Sequence, residues 1–333
     1  MVISKTPLRC SFFGGGTDFR DYFENTQIGY GSVISTALDM YVYITVNKRF
    51  DDMVRIVYSG NELVNHVSEV KHNIIREALQ LVGIENGIEV IYTADIPMSN
   101  AGVGLASSSA LAVGVLNALN AYKCIHKSAE ELARMACEIE IDRIGQQIGI
   151  QDQFTVSYGG FNRYRFNRDD SVAVMPVVCR KETLDRLKDS LMLFFTGNTR
   201  DSHEIMNEQN KNISERMDTL DQLTQTVDRV YEALCNGEVD EWGYELDMAW
   251  LKKKMLSSGI TNERIDGMYQ SAKLAGALGG KILGAGGGGF MLFYVPIEKQ
   301  SAVKKALSNF RQVPFNFESQ GSQIIFFHRN TMS

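Results

Sequence analysis

The feature that most constrains this chain is a glycine- and serine-rich junction immediately before a long apolar stretch. Residues 100–111 read NAGVGLASSSAL, and the apolar run continues to Tyr122. Serine is a preferred N-cap and glycine favours turns, so the junction predicts a helix that begins near Ser108. One serine is enough for a cap, whereas three follow Gly104. Because a helix start exposes unpaired N–H groups and the positive end of its dipole, a phosphate-binding loop is the alternative interpretation.

Two further glycine clusters occur, LRCSFFGGGTD at 8–18 and KILGAGGGGF at 281–290. A tight turn would explain the first, but four consecutive glycines beside a strand cost backbone entropy that some other gain should offset. The spacing of a Walker A loop is absent, and the Rossmann pattern fails because Ser107 occupies the place of its third glycine. No protein-kinase or hydrolase-elbow motif occurs either.

Composition limits the classes of partner. The net charge of −6 provides no broad attraction to nucleic acid or to an anionic membrane. No apolar run is long enough to span a membrane, and the N-terminus lacks the features of a signal peptide. Five scattered cysteines without CxxC spacing fit reduced thiols in a cytoplasmic protein, and the histidines do not suggest zinc. Any metal is therefore expected to be a hard cation on oxygen ligands.

Strand and helix patterns interleave without a regular βαβ rhythm, which favours an α+β fold over a doubly wound one. Helices are expected at 69–82, from about 108 to 122, from 128 to about 148 and through much of 201–258, and strands at 88–93 and within 1–60 and 154–178. At 333 residues, the length suggests two domains. We expect the division near residue 178, giving domains 1–178 and 179–333.

Two charged residues occur in apolar surroundings. Arg9 lies within LRCSFF, and Asp152 lies in the loop expected between Gly149 and Phe154. A buried aspartate needs a partner, and pairing with an arginine would keep it ionised and oriented. We therefore expect Arg9 and Asp152 to pair.

Taken together, these segments resemble the GHMP kinases, the superfamily of galactokinase, homoserine kinase, mevalonate kinase and phosphomevalonate kinase. The three motifs PLRCSFFGGGTD, GVGLASSSA and KILGAGGGGF occur in the family's order, and the spacing from Glu140 to Asp152 is similar to that of galactokinase-like members. The resemblance implies a ribosomal-S5-like N-terminal domain, a ferredoxin-like C-terminal domain and an active site between them. The loop from Pro97 to Gly104 is longer than the usual approach to the second motif.

The resemblance also implies ATP and Mg²⁺ as cofactors. The ATP phosphates would be held by Gly102, Gly104, Leu105, Ala106, Ser107, Ser108 and Ser109, with Ser108 and Glu140 as the Mg²⁺ ligands. Asp152 would be the catalytic carboxylate and Arg9 its partner. The expected sugar-binding residues are Thr17, Asp18, Arg200, Gly286, Gly287 and Gly288.

Within the superfamily, GGGTD, TGNTRDS at 196–202 and AWLKKKML at 249–256 are similar to kinases of the D-glycero-D-manno-heptose 7-phosphate type. The implied reaction is transfer from ATP to the anomeric hydroxyl, giving the 1,7-bisphosphate. An unphosphorylated sugar such as fucose or galactose is the alternative substrate. Arg200 is a candidate for the substrate phosphate or a surface arginine. Lys253 is a weaker candidate, since its lysine neighbours suggest a solvated helix face.

Overall fold

The computed structural model describes residues 1–96, 103–197, 202–239 and 241–328. Its strands are β1 (Val2–Phe13), β2 (Tyr30–Lys48), β3 (Val54–Val57), β4 (Asn61–Val64), β5 (Ile88–Ala94), β6 (Phe161–Asn167), β7 (Val172–Pro176), β8 (Leu191–Phe195), β9 (Gly279–Ile282), β10 (Phe290–Tyr294), β11 (Arg311–Val313), β12 (Phe317–Glu318) and β13 (Gln323–Phe327). Its helices are α1 (Arg20–Phe23), α2 (Asn73–Val82), α3 (Ser107–Tyr122), α4 (Ala129–Cys137), α5 (Gln151–Tyr158), α6 (Lys181–Asp189), α7 (Ser202–Lys211), α8 (Met217–Asn236), α9 (Glu241–Lys254), α10 (Glu263–Leu274) and α11 (Gln300–Ala306). The fold is α+β, as predicted.

The first sheet is organised around β2. Burial alternates along its second half, which is the period of a strand with one face on the core. β2 pairs with β1 along one side, and with β6 and then β5 along the other. The strand order is β13-β1-β2-β5-β3-β4, with β12 also on β2 and β7 on β6. The apolar helix α3 packs on β1 and β2, and it is buried along most of its length. This packing brings the glycine–serine junction to the end of β1.

The second sheet is antiparallel, in the order β11-β8-β10-β9, and α9 packs against β9 and β10. The indole of Trp242 on α9 contacts the rings of Phe12 and Phe13 on β1, with centroids 5.4 and 4.8 Å apart. An aromatic cluster therefore joins the two sheets. No helix within the described ranges is both long and apolar enough to cross a membrane.

The last two strands return to the first sheet, so strand pairing crosses the predicted division at residue 178. β12 pairs with β2 and β13 pairs with β1, so both strands belong to the first sheet. Local patterns could not reveal this return, because strand pairing depends on the partner strand and not on the segment's own sequence.

Three element predictions need smaller corrections. The helix expected to reach about residue 148 instead passes into a π-helical turn, Glu138–Arg143, and ends there. Asp152 lies in the first turn of α5 and not in a loop, and α5 replaces the start of the strand region expected from 154. The helix expected from residue 69 begins at Asn73, after a 3₁₀ turn, Val67–Glu69.

Candidate active site

A cavity of about 550 Å³ lies where the end of β1, the starts of α3 and α5, helix α9 and the β9–β10 loop meet. Ten of the residues expected from the sequence line it: Arg9, Asp18, Gly104, Ala106, Ser107, Ser108, Ser109, Asp152, Gly286 and Gly288. Thr17, Leu105, Glu140 and Gly287 do not line it. Gly102 and Arg200 lie outside the described residues. The three glycine-rich motifs thus meet at one site.

The second motif forms the start of α3. Gly104 and Ala106 have left-handed backbone conformations, with φ of 82° and 61°, and the helix begins at Ser107. Ser107 is only 6% exposed, and its hydroxyl has no hydrogen-bond partner among the described residues. The first N–H groups of a helix have no intrahelical partner, and the first three residues of α3, Ser107, Ser108 and Ser109, line the cavity. This arrangement suits a phosphate group.

Glu140 is fully buried directly behind these serines. Its Oε2 accepts hydrogen bonds from Ser109 Oγ at 2.8 Å and Gln153 Nε2 at 2.6 Å, and Ser108 also interacts with the carboxylate. Its Oε1 has no hydrogen-bond partner among the described residues. Burial raises the pKa of Glu140 to about 7, and the nearby Asp152 adds to the shift. An unsatisfied buried carboxylate oxygen beside serine hydroxyls fits one hard cation, although the described residues contain no cluster of three acidic, His or Cys ligands.

Arg9 and Asp152 pair as expected. Arg9 Nε donates to Asp152 Oδ1 at 2.8 Å and Arg9 Nη2 donates to Oδ2 at 2.6 Å, so the guanidinium holds both carboxylate oxygens. Arg9 Nη1 donates to the carbonyl of Gly104 at 2.7 Å. The Arg9 side chain is 4% exposed and that of Asp152 is 24% exposed. The arginine therefore lies behind the aspartate, which faces the cavity, and ties it to the second motif.

Asp18 is a second carboxylate in the wall. Its Oδ1 accepts from the backbone N–H of Gly16 at 3.0 Å and its Oδ2 from that of Gln151 at 3.2 Å. Burial, followed by the charge of Asp152, raises the pKa of Asp18. A carboxylate fixed in this way can accept hydrogen bonds from ligand hydroxyls that reach it.

Thr17, by contrast, is a structural residue. It is fully buried, and its hydroxyl lies 2.8 and 2.9 Å from the carbonyls of Gly14 and Ser32 and accepts from the Ser32 N–H at 3.0 Å. These contacts leave no group of Thr17 directed at the cavity. Its hydroxyl stabilises the first glycine turn, and the expected substrate contact of Thr17 stays a prediction. Leu105 is likewise buried in the core, and its carbonyl accepts from the Arg9 N–H.

The third motif packs directly on the second. A Cβ on Gly284 would lie 2.5 Å from the Cα of Gly104, and one on Gly289 would lie 2.4 Å from the carbonyl oxygen of Val103. Only glycine allows this approach of two backbones. Gly287 donates its N–H to the carbonyl of Ile260, and its expected substrate contact stays a prediction.

Two buried lysines complete the wall. Lys253 on α9 is 7% exposed and donates to the carbonyls of Ile282 and Gly284, so its assignment to a solvated helix face is wrong. Lys281 is 4% exposed and donates to the carbonyls of Ser11 and Phe12, both at 2.9 Å. Burial lowers the pKa of both lysines, that of Lys281 to about 8. The burial of Lys253 could not be predicted because it lies within the run KKK, which is typical of an exposed helix face. No sequence pattern distinguished Lys281 from other lysines.

The other end of the cavity is lined by residues that the sequence patterns did not predict. Tyr58, Tyr92 and His72 line it, together with Lys71 and Asn73. Tyr92 Oη and His72 Nδ1 are buried without hydrogen-bond partners in the described part of the chain. Tyr58 follows β3, Tyr92 lies on β5, and Lys71, His72 and Asn73 lead into α2, so only the tertiary fold brings these residues together.

Two family models match the chain: the GHMP kinases N terminal domain over residues 65–160, and the GHMP kinases C terminal model over residues 230–314. Together they cover more than half of the sequence. The D-glycero-alpha-D-manno-heptose 7-phosphate kinase of Campylobacter jejuni is 28% identical over 322 residues, which cover 92% of this chain and 93% of that protein. A galactokinase of Pyrococcus furiosus is 24% identical, with 92% of each chain covered.

Among solved structures, a D-glycero-D-manno-heptose 1-phosphate kinase from Bacteriodes thetaiotaomicron has a TM-score of 0.81 and 25% identity, covering 98% of this chain and all of that one. The fold, the order of the motifs and the two family models agree on the family. The chain belongs to the GHMP kinase family, whose members use ATP as the phosphate donor.

Proposed function

We propose that this protein is an ATP-dependent kinase that phosphorylates the anomeric hydroxyl of D-glycero-D-manno-heptose 7-phosphate. The observation that carries the proposal is the Arg9–Asp152 pair, held in one cavity with the start of α3. The similarity to the heptose 7-phosphate kinase along nearly the whole chain supports this sugar.

The phosphates of ATP bind at the start of α3. The free N–H groups of its first turn and the hydroxyls of Ser107 and Ser108 supply donors, and the helix dipole favours negative charge. The nucleoside extends toward Tyr58, His72 and Tyr92, where aromatic faces and two unpartnered polar atoms suit a base.

Ser108 and Glu140 would hold Mg²⁺, since Glu140 Oε1 has no partner among the described residues and Ser108, which interacts with that carboxylate, lines the cavity. When bound, the cation would neutralise phosphate charge. The two side chains would supply only some of the oxygen ligands. Mg²⁺ beside a nucleotide usually takes the others from phosphate groups and water.

Asp152 acts on the acceptor. It orients the sugar hydroxyl and accepts its proton as the oxygen forms a bond to the γ-phosphorus and the bond to the β–γ bridging oxygen breaks. Arg9 keeps both carboxylate oxygens in place through its two hydrogen bonds. The chain's contribution is mainly positioning and charge compensation.

The sugar occupies the part of the cavity near Asp18 and the third motif. Among the described residues that line this part, the cations Arg9, Lys253 and Lys281 outnumber the carboxylates Asp18 and Asp152. An excess of cations favours an anionic substrate in addition to ATP. The neutral-sugar alternative has its own support, because both buried lysines already donate to backbone carbonyls.

The deciding experiment is ADP release from ATP–Mg²⁺ with D-glycero-D-manno-heptose 7-phosphate, mannose 6-phosphate, mannose, fucose and galactose. We expect turnover with the heptose phosphate at a kcat/KM at least tenfold above that of the neutral sugars. Faster turnover of fucose or galactose would reject the heptose assignment and leave the roles of Asp152 and Arg9 to be tested separately.

A further inference from the structure

Helix α9 carries apolar side chains on two opposite sides. Trp242, Leu246 and Trp250 are buried against the rest of the chain. On the outer side, Tyr244, Met248, Leu251 and Met255 are 59, 50, 45 and 55% exposed. A helix that stays apolar around its circumference normally has a second covering surface.

The outer residues form a regular seam. Their spacing is four, three and four residues, which is the alternation of the apolar positions in a coiled coil. Met255 lies in the turn after the last helical residue, and the seam thus extends over about three turns. By contrast, Phe50 and Ile297 are exposed singly, which is ordinary for a protein surface.

We propose that this seam, Tyr244, Met248, Leu251 and Met255, binds the same seam of a second copy of the chain in antiparallel orientation. In this orientation the two-fold axis relates the two seams, so each seam residue meets an apolar residue of the second copy. Met248 packs against Leu251 of the second copy, and Tyr244 packs against Met255 of the second copy. This pairing is independent of the proposed substrate.

The charges that flank the seam specify both the partner and the orientation. In the antiparallel pair, Glu245 lies beside Lys252 of the second copy, and Asp247 lies beside Lys254 of the second copy. Two-fold symmetry repeats each attraction. A parallel pair would instead place Glu241 against Glu241, one turn before Tyr244. The flanking rows of α9 are therefore complementary to themselves when the helix is reversed.

The interface is expected to be reversible. Three of these charges already have partners within the chain: Glu245 pairs with Arg229, Lys254 with Asp266, and Asp247 with Lys273 and Tyr269. The intermolecular pairs would add to these partly exposed networks. Exposed ion pairs contribute little affinity and mainly select the partner and its orientation. The apolar seam provides the driving force, and four side chains make a small interface.

Sedimentation velocity of the full chain over a concentration series tests the proposal. We expect a monomer–dimer equilibrium, which Met248→Glu shifts to monomer. Leu274→Glu is the matched control, because Leu274 is 88% exposed at the end of α10 and lies outside the seam. Thermal unfolding and turnover with ATP are measured for each variant, to verify that it is folded.

A charge exchange tests the orientation. Glu245→Lys or Lys252→Glu alone places like charges together across the seam, and each should weaken the dimer at least several-fold. The double variant restores opposite charges and should recover most of the association. A wild-type chain that is monomeric throughout the series, or a dimer unaffected by Met248→Glu, would overturn the proposal. Single variants without effect would overturn the antiparallel arrangement.

Discussion

At the scale of single residues, this molecule concentrates its buried charge around one cavity. Arg9, Lys253 and Lys281 are cations with little exposure, and Asp18 and Glu140 are carboxylates with still less. Charges in such places are costly unless hydrogen bonds and opposite charges compensate them. Their convergence on the glycine motifs is therefore typical of a functional site rather than of a stability device.

Replacement of Asp152 by Asn should lower kcat by about 10²- to 10⁴-fold, because the amide cannot accept the acceptor proton. Asp142→Asn is the control, since Asp142 lies on an exposed face with its side chain 54% exposed. Steady-state rates with ATP and the best acceptor sugar give the comparison. A kcat of Asp152→Asn within threefold of wild type would remove the proposed base.

Lys281 makes folding stability depend on pH. Burial lowers its pKa from 10.5 to about 8, so between these values the unfolded chain retains a proton that the folded chain releases. The free energy of unfolding of the wild type should therefore rise with pH relative to Lys281→Met, by about 1.4 kcal/mol per unit of pKa difference.

Denaturant unfolding at a series of pH values across that window measures the difference between wild type and Lys281→Met. Lys304→Met, on the exposed side of α11, controls for the loss of one lysine. A difference between wild type and Lys281→Met that does not change with pH would contradict the assignment of a lowered pKa.

At the scale of elements, the site depends on the contact of two backbones. The β9–β10 loop meets the segment before α3 at Gly284 and Gly104, and Arg9 and Lys253 bind carbonyls of the same two segments. Main-chain contacts therefore join the second and third glycine motifs at the cavity. The sequence contains the glycine motifs but does not show that Gly284 and Gly104 contact each other.

Gly284→Ala should destabilise the protein and reduce turnover more than Gly145→Ala. Both positions have positive φ, 68° and 79°, so each substitution carries a conformational cost of about 1 kcal/mol. Only Gly284 adds a clash, with the Cβ 2.5 Å from the Cα of Gly104, whereas nothing lies within 4 Å at Gly145. Denaturant unfolding and kcat of both variants test this, and equal effects would mean that the loop moves aside freely.

Ser108→Ala should raise the Mg²⁺ concentration needed for half-maximal activity, because it removes one proposed ligand oxygen. Ser128→Ala is the control: Ser128 caps the start of α4, its hydroxyl accepts from the Glu131 N–H at 3.2 Å, and it does not line the active-site cavity. Its loss should cost about 1 kcal/mol of stability without altering the Mg²⁺ dependence. Parallel shifts in both variants would count against the ligand role of Ser108.

At the scale of the whole molecule, two features connect the second sheet and its helices to the first sheet: an aromatic cluster and the last two strands of the chain. Trp242 contacts Phe12, Phe13 and Phe161, while β12 and β13 bring the last strands back to the first sheet. Both features should couple the unfolding of the two sheets and the helices packed on them. The cavity between them should thus keep its shape as long as neither half unfolds alone.

Trp242→Ala should cost about 3–5 kcal/mol and separate unfolding into two transitions, because it removes the ring that joins the sheets. Trp250→Ala is the control: Trp250 is equally buried on α9, but its aromatic partner is Tyr269 of the same half. It should lower stability while leaving the two halves coupled. Calorimetry distinguishes the cases, and a single transition for Trp242→Ala would contradict the coupling.

Taken by itself, the sequence determined the α+β class, the three glycine motifs, the start of α3 and the pairing of Arg9 with Asp152. These depend on local periodicity, capping and the cost of isolated charge, which act over short distances along the chain. The tertiary structure alone decided the return of β12 and β13, the structural role of Thr17, the burial of Lys253 and Lys281, and the meeting of Tyr58, His72 and Tyr92. Each of these depends on contacts between distant segments, and no local pattern records which segments will meet.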